Sequence, residues 1–307
     1  MNKKEKFRTT IGGQALIEGI YMRGPDRGCL SVRKPDGEIH IETEELVNVP
    51  LRKVPFVRGA VAMISSVAKG YKSIMKSADL AFAEEEGEPQ GKFDAWLSSK
   101  LSDKAVMAVG ITGAVLGVVL SIMLFIVAPT FLTGFIDRFL PLGGFKALVE
   151  SVLKILLFVG YLLLVTRLRD VRRVFEYHGA EHKTIACFEA KEELTIENVK
   201  QCSRFHPRCG TSFLFLILII SIAIFSFVPF DNSLVRAGIK LLLIPVIMGI
   251  AYEILRYAGR HSNVLADLLS APGMWMQRLT VFEPDESQIE VAIAAMMEVI
   301  PGEGELE

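Results

Sequence analysis

Ala105 to Ile136 reads AVMAVGITGAVLGVVLSIMLFIVAPTFLTGFI and holds no charged residue. A helix needs roughly 20 apolar residues to cross the hydrocarbon of a bilayer, so this stretch alone is long enough. A second uncharged run, Cys209 to Phe230, follows later. Two further apolar stretches, about 147–166 and about 237–255, carry a few charges. The first holds Glu150 and Lys154, four apart on one helix face and able to pair. The second holds Lys240 near one end and Glu253 near the other, where long side chains reach the interface. The spacing predicts four transmembrane helices.

The rest of the composition fits that reading. The chain has 307 residues, 51% hydrophobic and 22% charged, with a mean hydropathy of +0.39. A soluble domain is nearer a quarter charged, which excludes a plain soluble globule. Lys and Arg number 34 against 35 Asp and Glu, a balance that argues against a chain built as a whole to hold nucleic acid. Four cysteines exclude a disulfide scaffold. The start, MNKKEKFRTT, has no apolar core of a signal peptide. The loops after the first and third spans carry few basic residues, whereas 167–210 carries nine. With four spans, 29 of the 34 basic residues fall on one side. The positive-inside rule then puts both termini and the central loop in the cytosol, as expected of a multi-pass protein of the cell's inner (cytoplasmic) membrane.

Four regions are expected. Residues 1–83 form a cytosolic α+β domain: a small β-meander over 12–47 and an amphipathic helix over Pro55–Phe82. Three strands are read, at Ala15–Met22, Cys29–Lys34 and Glu38–Thr43, the last two joined by the turn Lys34-Pro35-Asp36-Gly37. Arg58, Lys69, Lys72 and Lys76 lie on one stripe of the helix. That stripe suits either an anionic membrane surface or a solvated face of a helix packed on its own domain. Residues 84–104 read as an acidic linker and pre-membrane helix, and 105–255 as the four-helix membrane domain with its cytosolic loop 167–210. Residues 256–307 read as a helical segment packing on the N-terminal domain.

The chemistry concentrates in the central loop. Tyr177-His178-Gly179-Ala180-Glu181-His182-Lys183 contains the array H-x-x-E-H. On a helix His178 and His182 share a face, the spacing by which two imidazoles hold Zn²⁺. Glu181 beside them could serve as a base or orient a ligand, as in the inverzincin pattern. The bland alternative is two exposed histidines and a solvated glutamate. A second cluster, Cys202 to Gly210, includes His206-x-x-Cys209 with a tight turn at Pro207 and Gly210. Three of the five histidines and three of the four cysteines fall within 178–209, and the topology brings them to one membrane face. His178, His182, His206 and Cys209 are the candidate metal ligands. All four would make a closed structural site, and three would leave an open, catalytic one. Glu253 is either a further ligand or the partner of Arg256. Cys187 and Cys202 are spare soft ligands or buried thiols, His261 reads as a solvated end residue, and His40 and Cys29 read as structural.

Four motifs in order resemble the signatures of the YqhQ family of bacterial membrane proteins. They are Gly12–Pro25 (GGQALIEGIYMRGP), Tyr177–Lys183, His206–Phe213 (HPRCGTSF), and a C-terminal group of Gln277–Thr280, Glu283–Asp285 and Glu290–Ile293. Val281-Phe282 stands where the family more often has a polar pair. The family is labelled a domain of unknown function or a metal-dependent enzyme. The resemblance thus implies a metal at His178, Glu181, His182, His206 and Cys209, and supplies no substrate.

The expectation is an α-helical integral membrane protein that holds Zn²⁺ or another divalent ion at the cytosolic interface. It would act as a hydrolase on a membrane-proximal peptide or lipid headgroup, with Glu181 as the base. The alternative is a non-catalytic scaffold or a translocation- or ribosome-associated factor whose His/Cys cluster is structural. Expected partners are the lipid bilayer and either anionic lipid or a membrane protein complex. The polar residues of the spans lie toward their ends, which speaks against a transporter.

Overall fold

The computed structural model describes residues 9–46, 57–83, 103–207, 209–227, 232–261 and 263–300. The chain divides into two compact units, one of Met1–Ala83, Leu162–Ile220 and Pro245–Glu307, the other of Glu84–Tyr161 and Ser221–Ile244.

The first unit opens with an antiparallel sheet in the order β1 (Gly12–Leu16), β2 (Gly19–Arg23), β3 (Arg27–Arg33) and β4 (Ile39–Glu45). The expected first strand is thus two strands, folded back at Ile17-Glu18. The apolar run Ala15-Leu16-Ile17 conceals this turn, because the turn's residues are not Gly, Asn or Pro. Glu18 takes the left-handed conformation, φ 48°. Its carboxylate is held by Arg173 and accepts a hydrogen bond from the Tyr177 hydroxyl at 3.1 Å.

Alternation along the strands gives the sheet two apolar faces. Ile20, Met22 and Cys29 pack with Tyr177, Ala180, Ile185, Ile289, Ala292 and Met296, which come from α5 (Arg169–Glu189) and α10 (Glu286–Met297). Leu16, Leu30 and Val32 pack with Ala81 of α1 (Val57–Ala81). Each large apolar side chain buried here contributes about 1.5–3 kcal/mol. The outer strand β4 is charged, and its Glu42 and Glu44 pair with Lys76 and Lys69 of α1. Arg58 of the same helix pairs with Glu253. Much of the expected basic stripe is therefore tied to the protein's own acids.

Among the described residues three segments are long and apolar enough to cross a membrane: Thr112–Phe139, Gly143–Val165 and Leu234–Gly259. The first comprises most of α2 (Asp103–Ile122), a π-helical turn (Met123–Val127) and α3 (Ala128–Phe139). The widened turn precedes Pro129, which has no N–H to offer the preceding turn. The other two contain α4 (Lys146–Val165) and α8 (Ser233–Arg260). Val115, Leu116, Leu120 and Leu164 on these helices are more than half exposed, a surface that suits lipid and would be costly in water. The expected span at Cys209–Phe230 is a shorter apolar helix, α7 (Gly210–Phe225), below the length a full crossing ordinarily needs. After α8 come α9 (Val264–Thr280) and then α10, which a capping box of Asp285 and Gln288 opens. The expected linker at 84–102 lies outside the described residues.

Within the second unit the expected pair of Glu150 with Lys154 does not form. Lys240 and Arg236 of α8 take the Glu150 carboxylate instead, Arg236 at 3.0 Å, and Lys154 faces the Phe225 ring at 4.6 Å. Lys240 is fully buried rather than reaching for the interface. A carboxylate presented by one helix is met more directly by cations of a neighbouring helix than by a long side chain curled back along its own.

Candidate metal centre

Helix α5 sets His178 and His182 one turn apart, their ring centroids separated by 4.4 Å. The residues between and beside them hold the helix in place. Gly179 lies against the segment that follows α9, where an added Cβ would come within 1.9 Å of the Phe282 carbonyl oxygen. The Phe282 N–H donates to the Phe175 carbonyl at 3.0 Å. That close approach brings the end of α9 beside the histidines.

A backbone carbonyl orients each imidazole. His178 Nδ1 lies 3.0 Å from the Thr280 oxygen and His182 Nδ1 2.6 Å from that of Arg204. A carbonyl only accepts, so each Nδ1 carries the hydrogen and, in the neutral ring, each Nε2 keeps its lone pair for a ligand. Cys209 Sγ lies 3.1 Å from His178 Nε2 and accepts a hydrogen bond from the Thr211 N–H at 3.4 Å. The ligand atoms of His178, His182 and Cys209 are buried and lie within 4.8 Å of one another. This group could hold a metal ion.

The electrostatics favour a cation. Burial opposes a charge on Cys209, yet His178 and His182 beside it hold its thiol well below the ordinary range. Burial likewise opposes charge on His178, and the Cys209 sulfur and Glu181 outweigh it, pushing the ring up to about 9. Glu181 moves the other way: burial raises it against the pull of both histidines. Its Oε2 is buried and has no hydrogen-bond partner among the described residues, which ordinarily costs several kcal/mol for a charged group. The backbone closes on its carboxyl carbon, within 3.0 Å of where a Cβ on Gly13 would stand. Two imidazole nitrogens and a thiolate are a donor set that could hold a borderline-soft divalent metal ion, with the Glu181 carboxylate beside it.

Residues 54–301 match the family described as Protein of unknown function (DUF1385). The chain belongs to the DUF1385 family. It is 33% identical over 307 residues to "Uncharacterized protein YqhQ" of Bacillus subtilis (strain 168), with 97% of this chain and 94% of the relative covered. No solved structure matches.

The sequence motifs quoted above meet at this site of the DUF1385 chain. Gln277 clasps the backbone of His206, accepting from its N–H at 2.9 Å and donating to its carbonyl at 2.7 Å. Glu283 bridges Lys183 at 2.5 Å and Arg204 at 2.9 Å. Gly13, Arg204, Gln277 and Thr280 thus build the site without having been singled out for it. Gln277 and Thr280 stood within the C-terminal motif, but two of these four residues act through carbonyls, which leave no mark on side-chain spacing.

The other sequence candidates lie apart from the three-residue group. The His206 ring stands 5.8 Å from that of His182, and its Nε2 lies 3.3 Å from the Glu189 carboxylate. Glu253 is engaged by Arg58 through two guanidinium nitrogens. Cys187 is buried, its thiol pushed up to about 12 by burial and then by Cys202 beside it. His261 stacks on Tyr257, and His40 lies 3.7 Å from Glu42.

Proposed function

We propose that this chain is a metal-dependent protein of the bacterial inner membrane, with a divalent ion, most simply Zn²⁺, held by His178, His182 and Cys209. The observation that carries this reading is the pairing of each His Nδ1 with a carbonyl, which presents both Nε2 atoms to one point beside a cysteine. His206 is near enough to complete a closed site only by giving up Glu189. With three protein ligands one position stays open, the arrangement of catalytic rather than structural zinc.

A divalent ion there would supply Lewis acidity, lowering the pKa of water and polarising a carbonyl or phosphoryl group. Glu181 would take the proton. Its buried Oε2 has no other partner, and burial raises its proton affinity toward that of a base working near neutrality. Gly13, whose backbone closes on that carboxyl, would hold it in place. With the basic loop 167–210 in the cytosol, the centre would lie at the cytosolic interface, within reach of a membrane-proximal peptide or a lipid headgroup. Water activated there would make the chain a hydrolase at the bilayer surface.

The second reading is a scaffold in which the ion clamps the segment between α5 and α7. The burial of the ligand atoms favours it. Glu181→Gln separates the two. Membranes from cells expressing wild type and this variant are compared by lipid and peptide mass spectrometry, with the metal content of both proteins measured. A product that only wild type makes, with metal retained in the variant, supports turnover. Identical profiles at equal metal content contradict it and leave the scaffold.

A further inference from the structure

The second unit holds a polar cluster that the metal centre does not use. Glu150, Lys154, Arg236 and Lys240 are all at least nine-tenths buried, and all lie in helices read as crossing the membrane. Lys154 is eight residues into α4, about 12 Å along its axis, which is within the hydrocarbon of a bilayer. The charges do not balance. Glu150 forms ion pairs with both Lys240 and Arg236, and its Oε1 also accepts a hydrogen bond from the Thr130 hydroxyl at 3.0 Å. Nearby Asp137 is paired with Lys146 at 2.9 Å. Lys154 has no carboxylate within ion-pair distance among the described residues. The only group it faces there is the Phe225 ring, which Lys240 also approaches at 5.5 Å.

Magnitudes show that the ring is not enough. A cation over an aromatic face gains less than the burial of an ammonium costs, even after the protein relaxes. An intramembrane charge without a partner marks a ligand or ion site. The structure contains a place for one. Lys154, Glu150, Arg236, Phe225, Ser151 and Ser226 line a cavity of about 10 Å³, and one water-sized particle needs roughly 10–15 Å³ by this measure. The Ser151 and Ser226 hydroxyls donate to carbonyls of their own helices, at 2.7 and 2.8 Å. The donors facing the cavity are therefore the Lys154 ammonium and the Arg236 guanidinium.

We propose that this cavity binds a small monatomic anion, chloride being the representative, held by Lys154 and Arg236. A phosphate or a lipid headgroup is too large for the space, and a cation is excluded by the surplus of positive charge. One anion neutralises Lys154 without disturbing the Glu150 pairs.

The test uses the purified full-length chain in detergent. Melting midpoints are measured in sodium chloride and in sodium gluconate at equal ionic strength, for wild type, Lys154→Met and Lys154→Arg. Wild type should melt higher in chloride, saturating with concentration, as expected for a ligand of the folded state. Lys154→Met should lose at least ten-fold in apparent chloride affinity, and Lys154→Arg should keep most of it. Equal midpoints in the two salts, or the same chloride response in Lys154→Met as in wild type, would overturn the proposal and mark Lys154 as a neutral buried amine. Should Lys154→Met not fold, ³⁵Cl resonance line width decides on wild type alone. Excess broadening that bromide displaces supports the site, and no excess overturns it.

Discussion

The metal centre and the polar cluster of the second unit are both buried, and each leaves one charged group without a protein partner. The signs are opposite. At the centre His178, His182, Cys209 and their carbonyls satisfy one another, and the unpartnered atom is Oε2 of Glu181. In the cluster Glu150 is over-supplied with donors, and the residue without a carboxylate is Lys154. Buried polar groups are normally paired, so the sign of the group left over tells what kind of ligand a site can take. A cation fits the first and an anion the second.

Substitutions can break this contrast. Lys240→Met strips Glu150 of its most buried partner and should cost about 3–5 kcal/mol, read as a large fall in the chemical-denaturation midpoint. Lys154→Met in chloride-free buffer removes an unpaired charge and should be neutral or stabilising. Equal large losses from both would mean that Lys154 is paired after all. Gly179→Ala presses a methyl group on the Phe282 carbonyl and should cost about 1–3 kcal/mol. It should also lower metal occupancy, since Thr280 would move off His178, and full occupancy after dialysis would uncouple that carbonyl from the site. Gln277→Ala leaves the His206 backbone groups unsatisfied, at about 1–3 kcal/mol, with smaller change in metal content than Gly179→Ala. Asp285→Ala, which removes the cap of α10, should cost only about 1 kcal/mol and leave metal untouched.

The sequence disclosed the membrane helices and the core of the centre through different signals. Uncharged length alone marks Thr112–Phe139, and i, i+4 spacing alone marks His178 and His182. Length alone leaves the fourth span unconfirmed: Cys209–Phe230 is apolar throughout, but among the described residues its helix is Gly210–Phe225, and three helices there are long enough to cross. The turn at Ile17-Glu18 was hidden because its φ of 48° is held by tertiary contacts of Glu18 with Arg173 and Tyr177 rather than by a turn-forming residue. Glu150 reads as a partner for Lys154 on its own helix and Lys240 as an end-of-span charge, since pairing across helices 90 residues apart has no local pattern. The same limit hid Thr280 and Arg204, which act through carbonyl oxygens that every residue possesses.

The central claim is that His178, His182 and Cys209 form a metal site, and elemental analysis of the purified protein tests it most directly. Wild type and Glu181→Gln should each carry about one divalent ion per chain, and His182→Ala and Cys209→Ala should carry almost none while keeping a wild-type circular-dichroism spectrum. Metal-free wild type, or a full equivalent retained in His182→Ala, would contradict it.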